Sequence, residues 1–153
     1  KVKGVLNIGA QRSYLAIFQQ GTLVFVRSIG FGCAAFYQYM QESGAGDGEL
    51  EKLNCQDPGV ERLMRDIVSE LSRSLEYFRL QSKGRELSEI VLCGGGARVG
   101  DIEGYLSREV GLSVQVGDFT SQIQLPDSIT AKEKSDLLYD YPVALGLAMR
   151  GVK

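Results

Sequence analysis

Three consecutive glycines, Gly94–Gly96, end an apolar run, and Arg98 follows two residues later. Because glycine has no Cβ, its backbone can approach a ligand closely. The backbone amides of a helix that begins near Asp101 could also face an anion. The loop over 93–100 is therefore a candidate nucleotide-binding loop, although a strand-to-helix turn without a ligand would explain three glycines equally well.

The composition argues against several other chemistries. Lys and Arg number 17 and Asp and Glu 19, so the net charge of −2 gives no reason to expect nucleic acid or an anionic membrane as the main partner. The chain has no histidine, and its three cysteines, Cys33, Cys55 and Cys93, are far apart. A zinc site or a Cys–His catalytic pair is therefore not expected, and we assign no catalytic residue and no metal ligand.

Regular elements must position the loop, and the hydrophobic pattern predicts them in the order β-β-β-α-(α)-α-β-α-β-α. Strands are predicted over 4–9, 13–18, 23–29, 88–93 and 112–117. Helices are predicted over 33–42, 58–82, 101–110 and 141–151, with a short helical piece near 48–54. The polar, weakly patterned stretch 118–136 receives no element.

This order predicts an α/β fold of the ribonuclease-H-like type, which is also the layout of one lobe of the actin fold. The first three strands are close enough in sequence to form only an antiparallel meander, whereas the last two follow helices and must be parallel. The result is a mixed five-stranded sheet with packed helices. Ligands of such sheets bind outside the carboxyl ends of strands where the strand order reverses, and the strand 88–93 is expected to end at such a point.

Three segments resemble the PilM family of actin-like proteins, which is related to FtsA, MshI and the cytoplasmic part of GspL. The segment "IVLCGGGARVGDIEGYLSREVGLSVQVGDF" resembles the adenosine motif of these ATPases. "GVLNIGAQRSYLAIFQQGTLVFVRSIGFG" resembles their second phosphate motif and the hairpins after it, and "PVALGLAMRG" resembles their ending. The matches occur in the family's order and cover most of the chain.

The resemblance implies that residues 1–153 form a single domain, the second or C-terminal lobe of an actin-like protein. The first lobe would lie upstream of Lys1, and ATP with Mg²⁺ would bind in the cleft between the lobes of the full-length protein. No cofactor is expected on this lobe alone. Gly94, Gly95 and Gly96 would face the adenosine, and Arg98 would stack on the adenine, for which a flat guanidinium is suited. Glu49 and Lys52 match a pair that faces the ribose and base, although two solvated charges explain them equally well.

The phosphate motif departs from the family pattern. Asn7, Ile8 and Gly9 stand where the family has Asp-Ile-Gly, and Asn7 lacks the charge that favours Mg²⁺. Gln11 and Arg12 replace small residues near the phosphates. We therefore expect Asn7 and Gly9 to belong to a degenerate phosphate site with weak hydrolysis or none.

By resemblance, the protein is expected to be a cytoplasmic scaffold at the inner-membrane face of a bacterium, in the platform that assembles type IV pili or a related secretion system. Its partner would be the tail of a PilN-like membrane protein, bound mainly through the first lobe, and self-association is possible. Contact with the membrane would come only through partners. The alternatives are an ATPase or kinase-type enzyme of the actin fold and a filament-forming protein like FtsA.

Overall fold

The computed structural model describes residues 1–122 and 124–144. The strands are β1 (Val2–Ile8), β2 (Ser13–Gln19), β3 (Thr22–Ile29), β4 (Glu89–Cys93) and β5 (Ser113–Val116). The α-helices are α1 (Cys33–Glu42), α2 (Pro58–Gln81), α3 (Ile102–Val110) and α4 (Ala131–Asp140). Short 3₁₀ turns occupy Leu50–Lys52, Gly95–Arg98 and Phe119–Gln122.

The five strands form one mixed sheet in the order β3-β2-β1-β4-β5. β1 pairs antiparallel with β2, and β2 pairs antiparallel with β3. β4 lies parallel to β1 on its other side, and β5 lies parallel to β4. The predicted fold class is confirmed, including the position of β4 beside the first strand.

The β2–β3 hairpin turns at Gln20 and Gly21, which both have positive φ, at 51° and 78°. Positive φ at both central residues is typical of the two-residue turns whose twist matches the flanking strands. Gly21 tolerates this conformation without a side-chain penalty.

One face of the sheet forms the core with α1, α2 and α3. Its apolar side chains alternate along each strand, and those of Leu6, Ile8, Leu15, Ile17, Ile90, Leu92 and Val114 are buried. α2 supplies a stripe at three- and four-residue steps that includes the buried Val60, Met64, Ile67 and Leu71. Burial of these side chains is the main stabilising contribution to the fold.

The ends of α2 and α3 follow sequence signals. The Asp57 carboxylate accepts a hydrogen bond from the Gly59 amide at 2.8 Å, and Pro58 occupies the first turn of α2. Gly111 ends α3 in the left-handed conformation, with φ of 69°. Both predicted helix boundaries are within one residue of the structure.

The structure differs from the prediction over 118–136, where it has a 3₁₀ turn and the start of α4. α4 carries no fully buried residue, so it lacks the apolar periodicity by which the other helices were predicted. Most of the predicted closing helix, 141–151, lies outside the described residues. In the part of the chain that the structure describes, no helix is long and apolar enough to cross a bilayer.

Candidate functional site

A cavity of about 560 Å³ lies where β1 and β4 end side by side. It is bounded by the end of β1, the start of α1, the glycine loop and the end of α4. Its lining comprises Asn7, Gly9, Ala10, Cys33, Tyr37, Gly94, Gly95, Arg98 and residues 139–144. Open α/β sheets bind ligands outside the carboxyl ends of neighbouring strands where the strand order reverses.

Backbone hydrogen bonds fix the loop after β1 against the start of α1. The amides of Cys33 and Ala34 donate to the carbonyls of Gly9 and Ala10, both at 2.9 Å. These carbonyls therefore satisfy two amides at the N-terminus of α1, a position usually capped by a side chain. A Cβ at Gly32 would come within 2.6 Å of the Ala10 carbonyl oxygen, so the close approach requires glycine here.

The loop after β1 carries two bulky residues, Gln11 and Arg12. Arg12 donates from Nε to the Ser28 hydroxyl on β3 at 2.8 Å. Neither Arg12 nor Gln11 is among the described residues that line the cavity. Their predicted place near the phosphates of a bound nucleotide stays a prediction.

The three glycines differ in their surroundings. Gly94 has φ of 88°, and a Cβ there would overlap the Asn7 side chain and the Ile8 carbonyl group. Gly95 lines the cavity and has room, since the nearest atom to an added Cβ is Cys33 Sγ at 3.4 Å. Gly96 is buried, and a Cβ there would overlap the Ile8 side chain. Only Gly94 and Gly95 face the cavity, and Gly96 is a packing position.

Arg98 carries the only cationic side chain among the described residues of the lining, and three carboxylates surround it. Its guanidinium lies 2.6 Å from Asp140, 3.0 Å from Asp136 and 3.1 Å from Glu51. The guanidinium carbon also stands 5.0 Å from the centroid of the Tyr139 ring, a cation–π contact. The face that was expected to stack on adenine therefore contacts a tyrosine of the same chain.

The other predicted residues lie at the edge of this region. Glu49 lines a neighbouring cavity of about 460 Å³ that shares Tyr37 and Arg98 with the first. Lys52 lies in the 3₁₀ turn Leu50–Lys52 and lines neither cavity within the described residues. Asp101, at the start of α3, also lies outside both linings.

The Cys33 thiol faces the cavity but has no nucleophilic character. Burial raises the pKa of Cys33 to about 11, so the thiol stays protonated at neutral pH. Its Sγ donates weakly to the Ile8 carbonyl at 3.7 Å. In residues 1–122 and 124–144, no group of three acidic, cysteine or histidine side chains is placed to hold a metal ion. Beside this thiol, Tyr37, Tyr139 and Tyr141 give the cavity aromatic surface.

Sequence reasoning missed the α4 residues Asp136, Tyr139 and Asp140, although two signals point to them. Thr130 and Glu133 have the spacing of a capping box, in which each side chain bonds the other residue's amide. Asp136 and Asp140 are four residues apart, where like charges on a helix repel unless a cation lies between them. Arg98 is that cation.

Comparison with models of protein families matches residues 1–152 to the family described as "Type IV pilus assembly protein PilM". The chain belongs to this family. Among solved structures, it is similar to a "PilM-PilN type IV pilus biogenesis complex", with 24% sequence identity and a TM-score of 0.84. The match covers 100% of this chain and 46% of that chain.

Actin-like proteins share the fold at lower identity. The archaeal actin homologue Ta0583, in complex with ADP, matches with 11% identity and a TM-score of 0.62 over 98% of this chain and 50% of its own. MreB5 of Spiroplasma citri, bound to ADP, matches with 14% identity and a TM-score of 0.52 over 99% of this chain and 56% of its own. The PilM family chain described here thus spans about half the length of these structures, whose similarity to it is a similarity of fold.

Proposed function

We propose that this chain is part of a cytoplasmic actin-like scaffold in the inner-membrane platform that assembles type IV pili or a related secretion system. The observation that carries the proposal is the family match, which extends over residues 1–152. The mixed sheet and its helices support it, because they give the chain the fold of one actin-like lobe. A first lobe upstream would complete the protein, in keeping with matched structures about twice as long.

The cavity beside the glycine loop would receive the adenosine part of ATP in the full-length protein. Its position at the ends of β1 and β4 supports this role. The free space beside the Gly95 backbone, where an added Cβ would have room, supports it as well. Tyr37, Tyr139 and Tyr141 line it and offer apolar surface for a base. The first lobe would supply the other wall of the cleft, so residues 1–153 alone should bind ATP poorly.

Hydrolysis would be weak or absent because the phosphate end of the cavity has little to hold Mg²⁺. Asn7 offers a neutral carbonyl where a carboxylate would attract the ion. We predict that Asn7→Asp tightens the binding of Mg-ATP in the full-length protein. Titration with and without Mg²⁺ checks this, and an affinity that rises equally without the ion would contradict the metal explanation.

The partner would be the tail of a PilN-like membrane protein, bound mainly through the first lobe. The similarity to a structure described as a PilM-PilN complex supports this partner. Any association with the membrane would then depend on that protein.

The test is calorimetry of the full-length protein with a synthetic peptide of the PilN-like tail from the same organism, with a scrambled peptide as control. The proposal predicts saturable binding by the full-length protein, and much weaker binding by residues 1–153. No binding to the full-length protein would contradict the scaffold role. Phosphate release measured in parallel separates the scaffold from an actin-fold ATPase, for which turnover with ATP should be readily detected.

A further inference from the structure

α4 is attached to the rest of the molecule by polar contacts as well as by partly buried apolar side chains. None of its described residues is fully buried, and Tyr139 packs against the core from a half-buried position. Asp136 and Asp140 contact the Arg98 guanidinium, and Tyr139 stacks against it. One arginine of the glycine loop therefore contacts three side chains of the helix.

The contacts occupy all three nitrogens of the guanidinium. Nη1 donates to Asp140 at 2.6 Å, and Nη2 donates to Asp136 at 3.0 Å and to the second Asp140 oxygen at 3.3 Å. Nε lies 3.1 Å from Glu51, in the turn Leu50–Lys52. The fork of Arg98 thus joins three segments that are distant in sequence, which a lysine could not do with a single ammonium.

The guanidinium is more enclosed than its partners. The Arg98 side chain is 14% exposed, whereas those of Glu51, Asp136 and Asp140 are 49%, 39% and 40% exposed. Burial lowers the pKa of Arg98, but the hydrogen bond to Asp140 and the three negative charges outweigh it, so the pKa is raised. A buried cation needs such partners, and losing them would leave it uncompensated.

The same residues form part of the cavity wall. Arg98, Tyr139 and Asp140 line it together. One positive charge faces three negative charges, so an anionic ligand meets a cation that is already neutralised and carboxylates that repel it. A ligand phosphate or base that engaged Arg98 would have to replace at least one of these contacts.

We propose that Arg98, Glu51, Asp136 and Asp140 form a latch that holds α4 against the glycine loop, and that a nucleotide competes with this latch for the guanidinium. The second half of the proposal rests on the nucleotide-binding function proposed above. The latch itself does not, because its contacts join residues of this chain to one another.

Hydrogen–deuterium exchange of the full-length protein without nucleotide tests the latch. The double variant Asp136→Asn/Asp140→Asn removes both α4 charges, and Asp127→Asn is the matched control on an exposed residue before the helix. We expect the α4 amides over 131–140 to exchange roughly tenfold faster in the double variant, with α2 and the control unchanged. Unchanged exchange in α4 would overturn the latch.

Arg98→Lys provides an independent variant that keeps the positive charge. Because lysine cannot contact three carboxylates in this fork geometry, α4 should again exchange faster than in the parent protein. If α4 stays as protected with lysine as with arginine, the fork does not hold the helix and the latch is overturned.

Titration of the same proteins with Mg-ATP tests the competition. The double variant should bind several-fold more tightly than the parent and the Asp127→Asn control, since Glu51 is then the only carboxylate of the latch left beside the guanidinium and two repelling charges are gone. Equal or weaker binding would overturn the competition. If neither the parent nor the variants bind ATP, the proposed nucleotide site and the proposed competition are both wrong. The hydrogen–deuterium exchange experiment would still test whether the latch holds α4.

Discussion

At the scale of single residues, three adjacent glycines have three different roles. Gly94 needs positive φ, Gly95 leaves the cavity open, and Gly96 allows the glycine loop to pack against Ile8. The sequence predicted a loop of special backbone at this position. It could not assign the three roles. Glycine has no side chain, so the sequence alone does not show whether a given glycine is needed for positive φ or for close packing. Only the neighbouring Ile8 side chain and the backbone angles distinguish them.

Replacement of Gly96 should therefore destabilise the fold, whereas the same change at Gly95 should not. We predict that Gly96→Ala lowers the free energy of unfolding by about 1–3 kcal/mol, the usual cost of overpacking a filled site. Gly95→Ala is the matched control and should lie close to the parent, since its Cβ meets the Cys33 sulfur at 3.4 Å and an Asp140 carboxylate oxygen at 3.9 Å without overlap. Urea unfolding of the parent, Gly96→Ala and Gly95→Ala proteins checks this. Equal free energies of unfolding would contradict the prediction and would mean that the Ile8 side chain can move aside at little cost.

At the scale of elements, α4 is a helix that the periodicity of apolar residues does not predict. The buried stripe of α2 and the alternating strands follow from the positions of apolar residues, and the structure confirms them. α4 has no such stripe and depends on its N-terminal cap and on Arg98, a residue more than 30 positions earlier. A contact between residues so distant in sequence has no local signal beyond the paired charges Asp136 and Asp140.

The cap of α4 gives a prediction at this scale. Thr130 Oγ1 accepts from the Glu133 amide at 3.1 Å, and the Glu133 carboxylate accepts from the Thr130 amide at 2.7 Å. We predict that Thr130→Ala weakens α4 by about 1 kcal/mol, seen as faster amide exchange over 131–140. Ser128→Ala, an exposed change before the helix, is the control. Similar exchange in both variants would show that the cap contributes little.

The same cap has a pH dependence. The hydrogen bond from the Thr130 amide is the largest cause that lowers the pKa of Glu133 below its ordinary value of 4.5. A lowered pKa in the folded helix means that the contribution of Glu133 is present at neutral pH and is lost as the pH falls through that lowered value. Exchange over 131–140 should therefore accelerate in acid relative to α2, after correction for intrinsic rates.

At the scale of the whole molecule, the mixed sheet followed directly from element order and loop lengths. The short connections of the first three strands force antiparallel pairing, and the helices before β4 and β5 force parallel pairing. The three cysteines, Cys33, Cys55 and Cys93, are all buried. What the sequence could not give is the cavity wall contributed by α4.

The buried thiols predict a loss of stability in alkali. Burial raises the pKa of Cys33 and Cys93 to about 11 and that of Cys55 to about 12, from an ordinary value of 9.0. The folded state thus keeps protons that the unfolded state releases, so the contribution of these thiols to stability is constant below pH 9 and falls as the pH rises towards 11–12. Thermal melts from pH 7 to 11 should show this decline, and Cys93→Ala should reduce it. If the melting temperature of Cys93→Ala falls with pH as much as that of the parent, groups other than the Cys93 thiol cause the decline.

The measurement that tests the nucleotide site most directly is a titration of the full-length parent and its Gly95→Val variant with Mg-ATP, with the melting temperature of each recorded. Valine at Gly95 would place a branched side chain in the cavity, without the overlap with Ile8 that a Cβ would cause at Gly94 or Gly96. The account predicts that the affinity falls by at least about tenfold, or 1.4 kcal/mol, while the melting temperature stays close to that of the parent. A Gly95→Val protein that is folded and binds Mg-ATP like the parent would contradict it, and the triple glycine would then be a turn.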